Sequence, residues 1–164
     1  MPFEELLAEY GPMLSRVAAT YESDPELQRE LTQEICLAVW QAMGAFSHKS
    51  SLKTYLLRIA HNRAVTHVNK QVREPSNNAM EFTELELPDN AHQSAEAVLA
   101  EQQAINQLVT LVRSLPINAR QVMTLAMEGV NYNDIAEILG LSPSNVGVLL
   151  NRAKQQLKSK FHAQ

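Results

Sequence analysis

The run NYNDIAEILGLSPSNVGVLLNRAKQQL, from Asn131 to Leu157, constrains this chain most, because its punctuation marks out two helices and the turn between them. Ile135, Ile138 and Leu139 fall on one face of the first helix, and small Ala136 leaves room for a second helix to approach. Gly140 stands where the chain leaves that helix, a position that favours positive φ and so the residue without a Cβ. Leu141 fills the turn. Ser142 is a good N-cap and Pro143 a good first helical residue, since the N–H that proline lacks would have had no intrahelical partner. Val146, Leu150, Ala153 and Leu157 then recur at spacings of 4, 3 and 4, a single buried stripe. The other faces carry Ser144, Asn145, Asn151, Arg152 and Lys154, groups able to meet a phosphate or a base edge. This is the pattern of a helix-turn-helix. A plain helical hairpin with a glycine turn has the same spacing, so features elsewhere must separate the two.

Charge supplies one. Residues 1–45 hold 8 acidic and 2 basic side chains, whereas 46–73 hold 6 Lys or Arg and no acid. Residues 74–103 hold 7 acids and no base, and 104–164 hold 3 acids and 6 bases. The net charge of −4 therefore conceals two basic segments. A sequence pI near 5.7 argues against autonomous nucleic-acid binding, while the acid-free segment argues for a local anionic contact. Together they describe a protein that touches DNA in places while another body supplies much of the affinity.

The 164 residues, 45% of them hydrophobic, suffice for one domain or two small ones. No N-terminal apolar run and no 18-residue apolar stretch occurs, which argues against a signal peptide or membrane insertion and for a cytoplasmic location. The lone Cys36 cannot form an internal disulfide and reads as a small core hydrophobe.

The fold class this predicts is all-α, in two small helical modules. Phe3, Leu6, Leu7, Tyr10, Met13, Leu14, Val17 and Tyr21 make one helical stripe over 3–21. A second helix spans 25–45, with Asp24 as N-cap, Pro25 in its first turn, and Leu27, Leu31, Ile35, Ala38, Val39 and Ala42 facing inward. A third runs from about Leu52 to Lys70 behind the polar break Ser47-His48-Lys49-Ser50-Ser51, completing a three-helix module over 1–70. Residues 71–95 carry no sustained period and read as an acidic, flexible linker. Helicity resumes near Ser94, stops at Pro116, returns over about 118–128, and leads through Gly129 into the helix-turn-helix. The second module, 96–164, is thus a four-helix unit.

Three runs in order resemble a known family. ELTQEICLAVW, Glu30 to Trp40, is similar to the D-L-x-Q-E-x-F-L-x-x-W run of bacterial extracytoplasmic-function (ECF) RNA polymerase sigma factors. Phe46 followed by SLKTYLLRIAHNRAVTH, Ser51 to His67, resembles that family's S-L-R-T-W-L-x-R-I-A-R-N-x-A-x-D. Leu115-Pro116 with Arg120, Val122, Leu125 and Gly129, ahead of the helix-turn-helix, is the third. The resemblance covers both modules and implies sigma regions 2 and 4.

It also implies roles. Glu30, Leu31, Gln33, Glu34, Leu37 and Trp40 would dock on the clamp helices of core RNA polymerase, an apolar centre with a carboxylate rim. Ser47, His48, Lys49, Lys53, Tyr55, Arg58, His61, Asn62, Arg63 and Lys70 would capture the unwound −10 strand of promoter DNA. Cations there would track phosphates, aromatic rings stack on bases, and Asn62 bond a base edge. Arg120, Tyr132, Ser144, Asn145, Val148, Leu149, Asn151, Arg152 and Lys154 would read the −35 element. The family's T-V-K-S-R-L is replaced here by Asn145-Val146-Gly147-Val148-Leu149-Leu150, which removes two cations and predicts a weaker, more apolar −35 contact. An anti-sigma factor is a further partner the family admits. His48, His61 and His67 are expected on the DNA-facing side, and with His92 and His162 they form no metal-ligand spacing. No phosphate loop or nucleophile motif occurs, so neither catalysis nor a cofactor is expected. The alternatives are a stand-alone helix-turn-helix regulator, which ordinarily needs a strand-containing sensor domain, and a sigma-like adaptor that does not initiate.

Overall fold

The computed structural model describes residues 2–73 and 95–162, and every regular element within them is helical. The order is α1 (Phe3–Tyr21), α2 (Pro25–Ala42), α3 (Leu52–Arg73), α4 (Ala95–Arg113), α5 (Ile117–Met127), α6 (Tyr132–Leu139) and α7 (Pro143–His162). Helices α1–α3 pack on one another, as do α4–α7. The expected linker lies almost wholly outside the described residues; its ends are the last turn of α3 and the first residue of α4.

Local chemistry explains the boundaries. Asp24 Oδ1 accepts the Glu26 N–H at 2.9 Å, the N-cap that the sequence predicts. α2 stops at Ala42, short of residue 45, and tightens into a 3-10 turn over Met43–Ala45, where Gly44 weakens the α-helix. Ser51 Oγ accepts the Thr54 N–H at 3.1 Å and so opens α3. α3 then continues past Lys70 to Arg73, because the first downstream proline is Pro75. Gly140 closes α6 at φ 72°, and the Asn145 N–H bonds Ser142 Oγ at 3.2 Å, so the helix-turn-helix punctuation is as expected. Asn131, which is not among the expected caps, accepts the Asp134 N–H at 2.8 Å and starts α6.

The core of the first module is built by Leu6, Leu14 and Val17 of α1, Leu31, Ile35 and Val39 of α2, and Leu56, Leu57, Ala60 and Ala64 of α3. That of the second is built by Val112, Leu115, Val122, Leu125, Ile135, Val146, Leu150 and Ala153. These are not two isolated cores. They join in one continuous buried cluster, because α4 and α5 pack against α1 and α6 against α3. The sequence predicts two modules and a linker and does not fix how the modules pack; the structure docks them.

Candidate nucleic-acid interface

On α2, Glu30, Gln33, Glu34, Leu37 and Trp40 share one exposed stripe at helical spacing. Leu37 is 54% and Trp40 60% exposed, so both stand outside the core in spite of their size. Large apolar side chains rimmed by carboxylates mark a surface that another body covers. Leu31 departs from the expected docking set: it is fully buried, in register with Ile35 and Ala38. Its membership of the inward Leu27–Leu31–Ile35 stripe was already the sequence signal for that placement.

The loop between α2 and α3 is held by three rings. Phe46 lies 4.4 Å from His48 and 4.8 Å from Tyr55, centroid to centroid, and Tyr55 Oη donates to the Ala42 carbonyl at 2.7 Å. Tyr55 therefore ties the start of α3 to the end of α2 and braces the loop. His48 takes φ 63°, a conformation uncommon outside glycine, and its side chain is exposed beside Ser47 and Lys49. Exposed polar and cationic groups beside aromatic rings are the chemistry that suits an unstacked base and its phosphate. Further along α3, Asn62, Arg63 and Lys70 are exposed, while Lys53 and Arg58 are partly covered.

Two histidines do not face outward as expected. His61 is 7% exposed with no partner for Nδ1 among the described residues, and desolvation lowers its pKa to about 4, so it is neutral. His67 Nε2 lies 2.7 Å from buried Glu22, joining α3 to the end of α1. Both residues fall on the packed side of α3, where helix amphipathicity, stronger than any preference of histidine, decides their environment.

In α7, Ser144, Asn145, Val148, Asn151 and Arg152 are exposed on one face, opposite the buried Val146–Leu150–Ala153 stripe. Gln155, one turn beyond Arg152 and at i+7 from Val148, is exposed on the same face, where the 3.6-residue period places it although it is not among the expected residues. Lys154 is exposed on a flank, and Leu149 is half-buried against the core, which leaves Val148 as the exposed apolar side chain on this face. Tyr132, 44% exposed, lays its ring along α7, 3.5 Å from where a Cβ on Gly147 would stand. Arg120 points away from this face: it donates to the Leu115 carbonyl at 3.1 Å and lies over the Tyr21 ring at 5.8 Å.

Family models match this architecture in order: Sigma-70 region 2 over residues 6–74, and Sigma-70 region 4 over 105–157. The ECF RNA polymerase sigma factor SigM of Bacillus subtilis is 26% identical over 164 residues, covering 99% of this chain and 96% of its own length. This chain belongs to the ECF sigma factors. Two solved structures share the fold. A sigma factor CnrH in complex with the cytosolic domain of CnrY has TM-score 0.69 at 20% identity, covering 99% of this chain and 88% of its own. The sigma factor RpoE with the anti-sigma factor NepR, from Bartonella quintana, has TM-score 0.73 at 19% identity, covering 96% and 94%.

The region 2 match contains both the α2 stripe and the ring-braced loop of this sigma factor, and the region 4 match contains the whole helix-turn-helix. Among the described residues no helix is long and apolar enough to cross a membrane, and no group of three or more His, Cys, Asp or Glu could hold a metal. Cys36 is partly covered, and burial pushes its thiol pKa up, the opposite of an activated thiolate.

Proposed function

We propose that this sigma factor docks on core RNA polymerase through Glu30, Gln33, Glu34, Leu37 and Trp40, captures the melted −10 strand over residues 47–70, and reads the −35 element with α7. The observation that carries this reading is the exposed Leu37–Trp40 pair within a carboxylate rim on α2. An isolated domain in water has no use for it, and a basic partner helix does. Ser47, His48, Lys49, Asn62, Arg63 and Lys70 supply the outward groups for strand capture, with Tyr55 positioning their loop. RNA synthesis itself belongs to the polymerase; this chain confers promoter choice and strand opening, which places it in the cytoplasm. Because sigma factors of this shape were solved with anti-sigma factors or a cytosolic domain bound, an anti-sigma partner forms part of the proposal.

Run-off transcription with core polymerase on a pool of the host's promoters tests it. The expected result is specific transcripts that require the chain and disappear with Trp40→Ala. Core binding without transcripts on any promoter would favour a non-initiating adaptor, and duplex binding without core would favour a stand-alone regulator.

A further inference from the structure

From Gln121 to Asn151 the chain carries no Lys or Arg, and Arg120 is turned inward, so α6 and the start of α7 present no cation. The hydrogen-bonding groups exposed along that part of α7 are neutral: Ser144, Asn145 and Asn151. Tyr132 stands beside them, at the first residue of α6, 44% exposed. Among the described residues nothing hydrogen-bonds its hydroxyl, whereas the side chain of neighbouring Asn131 is engaged by the Asp134 N–H. Gly147 follows Ser144 by three residues and precedes Asn151 by four, so the three are neighbours along one edge of α7. A Cβ on Gly147 would lie 3.5 Å from Tyr132 Cε2 and 4.0 Å from Cδ2. Gly147 is helical and outside the left-handed region, so the backbone does not call for a glycine, which weakens a helix interior. What the missing side chain provides is room for the ring. A methyl group would just fill that room, and a branched side chain would press on the tyrosine.

We propose that Tyr132 and Gly147 form one contact of the −35 surface: the glycine seats the ring against α7, and the phenol hydroxyl donates to a DNA backbone phosphate beside the face that carries Ser144, Val148 and Asn151. The inference rests on the −35 reading above. Tyrosine hydroxyls are suited to phosphate oxygens, and such contacts fix the register of a reading helix in its groove. A hydroxyl neutralises no phosphate and releases no counterion, so this contact adds affinity without adding salt dependence. Seated on Gly147, the ring is held before DNA arrives, and little side-chain freedom is lost when the bond forms.

Holoenzyme titrated by anisotropy on a fluorescein-labelled promoter duplex from the run-off pool tests the contact. Tyr132→Phe keeps the ring and should bind about three- to tenfold more weakly, with an unchanged salt slope. Neutral methylphosphonates placed one at a time along both strands of the −35 element should reveal one position that weakens the wild type by a similar factor and leaves Tyr132→Phe unaffected. A tyrosine that only packs would respond to no single phosphate. Gly147→Ala should bind like the wild type, and Gly147→Val, branched at Cβ, as weakly as Tyr132→Phe, with no further loss when the two are combined. Full affinity in Tyr132→Phe, or the same methylphosphonate profile in both proteins, overturns the phosphate contact. Full affinity in Gly147→Val overturns the seat. Arg152→Ala separates this contact from the reading beneath it. If Arg152→Ala weakens binding and Tyr132→Phe does not, only the tyrosine contact falls; if neither does, or no promoter emerges from the pool, the −35 reading falls and takes the contact with it.

Discussion

Trp40→Ala separates docking from folding. Had Trp40 been core, its truncation would cost roughly 3–5 kcal/mol of stability. At 60% exposure it covers little of the core, so the folded state should lose about 1 kcal/mol or less. The exposed part of the indole, roughly 100–150 Å² on the usual scale for this side chain, is what a partner would bury. At about 25 cal/mol per Å² that is roughly 3 kcal/mol of binding, near a hundredfold in Kd. Two assays are required on the same preparation: thermal unfolding of the free chain, and fluorescence-anisotropy titration with core polymerase. The expected pair is a melting temperature almost unchanged and an affinity reduced roughly a hundredfold. A large fall in melting temperature with affinity intact would refute the reasoning, since Trp40 would then be a packing residue and α2 would dock elsewhere.

Thr124→Val leaves the Thr20 hydroxyl without its buried donor and should cost about 1 kcal/mol in urea unfolding, while the double change with Thr20→Val should cost less than the two singles added. Buried His61 has its pKa lowered from 6.5 to about 4, so between those values the unfolded chain binds the extra proton. Its contribution is therefore complete above about pH 6.5, falls by up to about 3 kcal/mol as pH drops, and levels off below about pH 4. Urea titrations across that window should show a shallower decline for His61→Gln. Asn62→Ala should weaken permanganate reactivity of promoter thymines in the open complex more than it weakens initial duplex binding; full reactivity would remove Asn62 from the strand-binding set. Gly147→Lys adds a Cβ at ordinary contact distance from Tyr132 and a cation beside the −35 face. Holoenzyme carrying it should bind promoter duplex more tightly, with a salt slope steeper by about one unit.

Much of this was legible in the sequence because it rests on local chemistry. Helix caps at Asp24 and Ser142, the left-handed Gly140 and the Val146–Leu150–Ala153 stripe each depend on residues within a turn or two of one another. The acid-free segment 46–73 and the three family-like runs were likewise readable without coordinates. Tertiary structure decided which side of a helix faces what. It buried His61, left Leu37 and Trp40 in water, drew Tyr55 into a brace and His67 onto Glu22. It also turned Arg120 inward and docked the modules through Arg16–Glu128 and Thr20–Thr124, partners 112 and 104 residues apart in the chain. Periodicity states that a helix has two faces. It does not state what packs on each, because that choice is made by burial and pairing between segments that no local pattern relates.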